Sequence, residues 1–136
     1  MKNKEESPLH KLVIKSSKKV EEIMYSILKD YIVLDEDNHE VILLETARSL
    51  NAERKILLLL LGYKAMEILG WIDDSSLTPR EIAKRVGVNY NTVRSVLSRL
   101  HQKGMVSKIG RGMYKVELSR ILEISSMFKR EEEAHE

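Results

Sequence analysis

The sequence predicts a mainly α-helical protein with two small β-hairpins, which places it in the α+β class. The first observation is an apolar stripe at helical spacing between residues 20 and 31. Its members are Val20, Ile23, Met24, Ile27, Leu28 and Tyr31. The second is a leucine-rich segment at residues 52–69, and the third is two pairs of short β-type runs, each pair flanking a polar turn. With 136 residues, of which 43% are hydrophobic, the chain can bury a substantial core.

The first half is predicted to hold one helix and one hairpin. The helix begins at Ser16 or Ser17, and the hairpin joins YIVL to EVILL through DEDNH. The leucine-rich helix is capped by Asn51 and ended by Gly70. Because this helix is apolar nearly all round, the C-terminal unit should cover it together with the first helix or a partner chain.

Three parts of the chain follow from these elements. Residues 1–50 form an extension made of a helix and a hairpin, used for dimerisation or related to the C-terminal unit as a degenerate copy. Residues 51–117 form the main domain. Residues 118–136 form a last helix, beginning near Ser119, and a charged tail.

The composition argues against an enzyme, a metal site and a bound cofactor. There is no cysteine, and the four histidines are scattered, without a metal-ligand partner at helical spacing. The acidic turn beginning at Asp35 lacks the glycine and the final glutamate of a calcium loop. No glycine-rich phosphate loop follows a strand. We therefore expect no catalytic residues, no metal and no cofactor.

The apolar segments are too short for a membrane protein. The longest run, residues 56–63, falls well below the roughly 20 residues that cross a bilayer. The N-terminal stretch MKNKEESPLHK is charged and lacks the apolar centre of a signal peptide. We therefore expect a cytoplasmic protein that does not engage a membrane.

Charge is distributed unevenly along the chain. Residues 78–116 hold nine basic residues and one acid, Glu81. Because the whole chain has 23 basic and 21 acidic residues, the remainder holds 14 basic and 20 acidic residues. A basic segment attached to an acidic remainder is typical of a surface that contacts nucleic acid.

The basic segment opens with signals for two helices joined by a tight turn. Thr78 caps the first helix, Pro79 occupies its first position, and Glu81 completes a capping box. Gly87 permits a turn with positive φ, and Asn89 caps the second helix. This order of signals predicts a helix-turn-helix.

The second helix, residues 90–102, is predicted to read DNA bases. Val93, Val96, Leu97 and Leu100 form its buried stripe. The opposite side collects Asn91, Ser95, Ser98 and Gln102, flanked by Arg94 and Arg99. Asparagine and arginine pair bidentately with base edges, and serine permits close approach to the major groove, whereas a carboxylate would be repelled by phosphate.

Two short strands, MVSKI and MYKV, follow within residues 106–116 and flank a turn with two glycines. Val106, Tyr114 and Val116 are expected to face the core. The basic side chains of Lys108, Arg111 and Lys115 are expected to face outward, toward phosphate or the minor groove.

Residues 77–117 resemble the winged helix-turn-helix domains of GntR-like and MarR-like transcription regulators of bacteria and archaea, and we expect an archaeal source. The match to the GntR-like pattern falls at Gly87, Val88, Thr92, Val93, Arg94, Leu97, Leu100, Gly104, Gly112 and Tyr114. The resemblance implies DNA contacts by Arg94 and Asn91 and a backbone contact by the wing arginine, Arg111. The chain departs from those families in placing this unit near its C-terminal end and in lacking a ligand-binding domain of GntR size, so we expect no small-molecule ligand.

These observations predict a sequence-preferring binder of double-stranded DNA, a transcription regulator that acts as a homodimer. Base contacts are assigned to Tyr90, Asn91, Arg94, Ser95 and Ser98. Contacts with the DNA backbone are assigned to Thr78, Arg80, Lys84, Arg99, Lys108 and Arg111. The first, leucine-rich or last helix would form the dimer. The alternative is a winged-helix adaptor that binds proteins in a transcription, replication or membrane-remodelling assembly.

Overall fold

The structure is a computed structural model that describes residues 7–12 and 16–135, with side chains described as far as Lys129. Its elements, in chain order, are α1 (Ser16–Leu28), β1 (Ile32–Asp35), β2 (Glu40–Leu43), α2 (Glu45–Arg48), α3 (Ala52–Ile68), α4 (Pro79–Val86), α5 (Tyr90–Gln102), β3 (Val106–Ile109), β4 (Met113–Val116) and α6 (Ile121–His135). Short 3-10 helices span Pro8–Leu12 and Leu118–Arg120. The expected fold class is confirmed: helices dominate, and the strands form two antiparallel hairpins.

Helix α3 is the centre of the protein. Six consecutive residues, 56–61, are fully buried, so every side of this helix is covered. Helix α1 and the first hairpin pack on it, and so do α4, α5 and β4. The chain's own elements therefore supply the cover that the all-round apolar sequence of α3 requires.

The first hairpin lies unusually close to α3 at Gly62. Strands β1 and β2 pair in a register that sets Ile32 opposite Leu43 and Val33 opposite Ile42. A Cβ atom on Gly62 would lie 2.6 Å from Cγ2 of Val41 and 3.0 Å from Cδ1 of Ile32. The absence of a side chain at position 62 is what allows the hairpin to approach the helix so closely.

Helices α1 and α6 pack against each other. The rings of Tyr31 and Phe128 lie 5.8 Å apart, and both side chains are buried. On another side of the molecule, Trp71 stacks on His39 at 5.7 Å, which joins the segment after α3 to the tip of the first hairpin. One continuous cluster of buried side chains extends from α1 through α3 to α6.

Sequence patterns did not predict α2. A helix of four residues is too short to display a period of 3.6, and ETAR has the composition of a polar loop. Along the described part of the chain, no helix is long and apolar enough to span a membrane.

Candidate nucleic-acid interface

The helix-turn-helix forms as the local signals predict. Thr78 Oγ1 accepts a hydrogen bond from the Glu81 amide at 3.2 Å, and Glu81 Oε1 accepts one from the Thr78 amide at 2.9 Å. This capping box fixes the start of α4, with Pro79 in its first turn. Gly87 ends the helix in the left-handed conformation, with φ of 69°.

Helix α5 presents a polar stripe to solvent. The Asn89 side chain caps the helix by accepting a hydrogen bond from the Thr92 amide at 3.0 Å. The apolar stripe of α5, Val93, Val96, Leu97 and Leu100, is buried as predicted. On the opposite side, Asn91, Ser95 and Ser98 are exposed, and within the described part of the chain their side chains make no hydrogen bond to protein. Their hydrogen-bonding capacity is available to a ligand.

Two arginines converge on the ring of Tyr90. The guanidinium carbon of Arg80, on α4, lies 4.7 Å from the ring centroid, and that of Arg94, on α5, lies 5.7 Å from it. Such cation–π contacts contribute on the order of 0.5–1 kcal/mol each at exposed sites. Tyr90 therefore links the two helices and holds two positive charges side by side. All three residues are among the predicted DNA contacts, but no sequence pattern indicates their contact with one another.

The wing is attached to the helices through Leu77. Strands β3 and β4 pair with Val106 opposite Val116 and Lys108 opposite Tyr114. Leu77 and Tyr114 exchange two backbone hydrogen bonds of 2.8 Å, which adds a single-residue bridge beside β4. The position of the wing beside α4 is thereby fixed by backbone contacts.

The expectation that Lys115 faces outward together with Lys108 is wrong. Side chains alternate along a strand, and because Lys115 pairs with Ser107 rather than with Lys108, the two lysines project to opposite faces of the wing. Lys108 shares its face with Tyr114, which is half-buried.

On its own face, Lys115 lies in the electrostatic field of Glu67 and Asp74. A hydrogen bond from Lys64 is the main cause that lowers the pKa of Glu67, with smaller contributions from Ser75 and Lys115. The backbone amide of Ser76 is the main cause that lowers the pKa of Asp74, and Lys115 contributes a smaller part. Lys115 therefore lies near two carboxylates, on the face of the wing opposite Lys108.

Four basic side chains meet in an open groove of about 490 Å³ between α4, α5 and the wing, here called the cationic groove. It is lined by Thr78, Pro79, Arg80, Tyr90, Arg94, Lys108, Arg111, Gly112 and Tyr114. Six of the eleven predicted site residues are in this set, and no lining residue carries a carboxylate. Such a surface is suited to a polyanion.

The other five predicted residues lie outside the cationic groove on exposed helix faces. Asn91, Ser95, Ser98 and Arg99 are exposed on α5, and Lys84 is exposed one turn after Arg80 on α4. Among the residues that the structure describes, no group of three His, Asp or Glu side chains could hold a metal ion.

The match to a protein family supports a nucleic-acid interface. Residues 72–125 match the model of the family described as sugar-specific transcriptional regulator TrmB, which supports the resemblance to winged helix-turn-helix regulators. The comparison with curated proteins found no match. Among solved structures, the chain is similar to BpsR of Bordetella bronchiseptica, whose DNA binding is regulated by 6-hydroxynicotinic acid. That likeness has a TM-score of 0.35 and 12% identity, and it covers 96% of this chain and 82% of BpsR.

The features of this region agree with one another. It has a capping box, a left-handed glycine turn, an exposed polar helix face and a wing bridged to the segment before α4. Together with the family match, they identify a winged helix-turn-helix DNA-binding unit of the kind found in transcription regulators.

Proposed function

We propose that the protein is a sequence-preferring binder of double-stranded DNA that regulates transcription and has no enzymatic activity. The observation that carries the proposal is the cationic groove beside the exposed polar stripe of α5. Phosphate contacts supply most of the affinity of such proteins, and contacts with base edges supply the sequence preference. The two surfaces adjoin each other at Arg94. A protein that recognises a sequence in duplex DNA requires phosphate contacts and base contacts side by side.

The proposal gives each surface a role. The exposed face of α5 enters the major groove, where Asn91 and Arg94 read base edges. Tyr90, Ser95 and Ser98 contact bases or nearby phosphates, and the two serines permit close approach. Contacts with the DNA backbone come from Thr78, Arg80, Lys84, Arg99, Lys108 and Arg111. Because Tyr90 contacts both Arg80 and Arg94, the proposed phosphate contact and the proposed base contact lie next to each other before DNA binds.

The proposal includes a homodimer in the cytoplasm. A two-fold dimer places two recognition helices on half-sites about one DNA turn apart, which raises both affinity and specificity. The matched family is described as sugar-specific, but the match covers the DNA-binding unit. We therefore propose DNA binding for this chain, and we propose no sugar effector. The archaeal source stays a prediction.

Selection from a pool of random duplexes tests the proposal. The full chain should enrich a defined sequence, with two related half-sites if it binds as a dimer. Arg94→Ala should lower the enrichment, whereas Lys19→Ala, which removes an exposed positive charge from α1, should enrich the same sequence. Failure to retain any duplex at low salt would contradict DNA binding and leave the protein-binding adaptor as the better account.

A further inference from the structure

A second groove, apolar rather than charged, lies beside α1 on the first half of the protein. It encloses about 390 Å³ between α1, the first hairpin and the end of α3. The residues that line it are Glu21, Met24, Tyr25, Leu28, Lys29, Ile32, Val33, Leu34, Ala65, Ile68 and Leu69. Only two of them are charged: Glu21, which is exposed on α1, and Lys29, which is exposed in the turn that follows α1. We call this surface the apolar groove.

Four of the exposed apolar side chains of this half line the apolar groove. Tyr25 is 69% exposed, Leu69 57%, Val33 48% and Ile68 41%. Next to Val33 on the outer face of the hairpin is its cross-strand partner Ile42, which is 42% exposed. A hairpin that faces only water would carry polar residues at these outward positions. A contiguous apolar surface of this kind indicates a contact with another molecule.

The charges beside the apolar groove are self-complementary. Glu21, Tyr25 and Lys29 follow one another at intervals of four residues. Lys29 follows the last residue of α1, and its amide donates a hydrogen bond to the Tyr25 carbonyl at 2.9 Å, so the helical spacing continues and the three residues lie within an arc of about 80°. If two copies of α1 pack antiparallel across a two-fold axis at Tyr25, Glu21 of each copy faces Lys29 of the other. A two-fold interface requires this relation, in which residue i contacts residue j and residue j contacts residue i.

We propose that the apolar groove is the interface with a second copy of this chain, with Tyr25 at the two-fold axis. The apolar side chains form the centre of the interface, and two Glu21–Lys29 pairs form its rim, which is the usual division within a protein interface. This inference rests on the proposed function in that a homodimer is part of it, and it specifies which surface forms that dimer.

Sedimentation equilibrium of the full chain and of charge-reversal variants tests the interface. The unchanged protein should be a dimer. Glu21→Lys alone, or Lys29→Glu alone, replaces two attractive pairs by two repulsive pairs and should weaken association about tenfold. An equimolar mixture of the two variants should restore association to within about twofold of the original, because both charge pairs are attractive in the heterodimer.

A matched control separates the interface from general effects of charge on α1. Lys19→Glu makes the same change as Lys29→Glu, but on a side of the helix about 120° away from Tyr25, and should leave association unchanged. Thermal unfolding followed by circular dichroism should show that all three variants retain the fold, since the three side chains are exposed.

Three results would overturn the interface. The first is a monomer at all concentrations. If a small apolar compound bound in the apolar groove and stabilised that monomer, the groove would be a ligand site rather than an interface. The second is a dimer whose association changes no more with Glu21→Lys than with Lys19→Glu. The third is a mixture of the two variants that associates no better than each alone. Enrichment of a DNA sequence by a monomer would leave the proposed function standing and refute this interface alone.

Discussion

The protein contains two units made of a helix and a hairpin, and their surfaces differ in kind. In the first, α1 and the β1–β2 hairpin border a groove of about 390 Å³ whose lining is almost entirely apolar. In the second, α5 and the β3–β4 hairpin border a groove of about 490 Å³ that holds four basic side chains and no carboxylate. Both hairpins pair over four residues, with Ile32 opposite Leu43 in one and Val106 opposite Val116 in the other.

The hairpin tips show the same contrast. The first tip contains Asp35, which accepts hydrogen bonds from the Asn38 side chain at 2.8 Å and from the Asp37 amide at 3.0 Å. The second tip carries Arg111 between two glycines. An acidic tip would be repelled by phosphate, and a basic tip is attracted to it. Similar local folds therefore expose surfaces for different partners, and only the second unit is suited to DNA.

The largest effect is expected where the first hairpin packs on α3. Gly62→Leu should lower the free energy of unfolding by about 2–3 kcal/mol, because the new side chain would overlap Val41 and Ile32. Gly112→Leu places the same side chain on the second hairpin, where an added Cβ meets nothing within 4 Å, and should cost less than about 0.5 kcal/mol. Denaturation in urea measures both, and equal losses would contradict the close packing at Gly62.

The next largest effect concerns the recognition helix. Arg94→Ala and Asn91→Ala should each cost about 1–3 kcal/mol of affinity on the preferred duplex and much less on random duplexes. Fluorescence anisotropy with both duplexes measures the difference, and Lys19→Ala on α1 serves as the charge-matched control for Arg94→Ala. Equal losses on preferred and random duplexes would mean that these residues contact the backbone rather than the bases.

The two lysines of the wing should differ in how much their replacement weakens duplex binding, and the effect is smaller than that at the recognition helix. Lys108→Ala should weaken binding to all duplexes by about 1 kcal/mol and reduce the salt dependence by about one unit, as should Arg111→Ala. Lys115→Ala should change affinity less than twofold, because Lys115 projects from the opposite face near Glu67 and Asp74. If Lys115→Ala weakened binding as much as Lys108→Ala, the orientation of the wing on DNA would be wrong.

The smallest effect is the acid dependence of stability at Glu67. Its side chain accepts hydrogen bonds from Lys64 at 2.7 Å and from the buried Ser75 at 2.9 Å, and its pKa is lowered chiefly by Lys64. A lowered pKa stabilises the fold at pH values above the ordinary value of 4.5, and this contribution is lost as the pH falls through the folded-state pKa. Glu67→Gln should remove roughly 0.5 kcal/mol near neutral pH and flatten the acid limb of stability measured by urea denaturation. An unchanged acid limb would show that Glu67 contributes nothing to it.

Structural features that depend on a few neighbouring residues could be predicted from the sequence. Features that depend on contacts between distant segments of the chain could not. The capping box at Thr78, the turn at Gly87 and the cap at Asn89 each depend on a few adjacent residues, and all three form as predicted. The face on which Lys115 lies depends on strand register, which the sequence leaves open by one residue. The contact of Arg80 with Tyr90 depends on how two helices cross.

The apolar groove shows the same limit. The helical period of α1 identified its buried stripe, but Tyr25 lies outside that stripe and is one large apolar residue among polar ones. Its proximity to Val33 and to the end of α3 appears only when the three elements are assembled. Side chains from separate segments that form one surface carry no shared sequence pattern, so the groove could be found only in the structure.

The salt dependence of duplex binding tests the central claim most directly. The basic residues assigned to the DNA backbone are Arg80, Lys84, Arg99, Lys108 and Arg111. If each neutralises one phosphate, log affinity should fall with log salt with a slope of about −4.5 per protomer. We expect the same slope of log affinity against log salt on random and preferred duplexes. No duplex affinity at low salt, or a slope near zero, would contradict it.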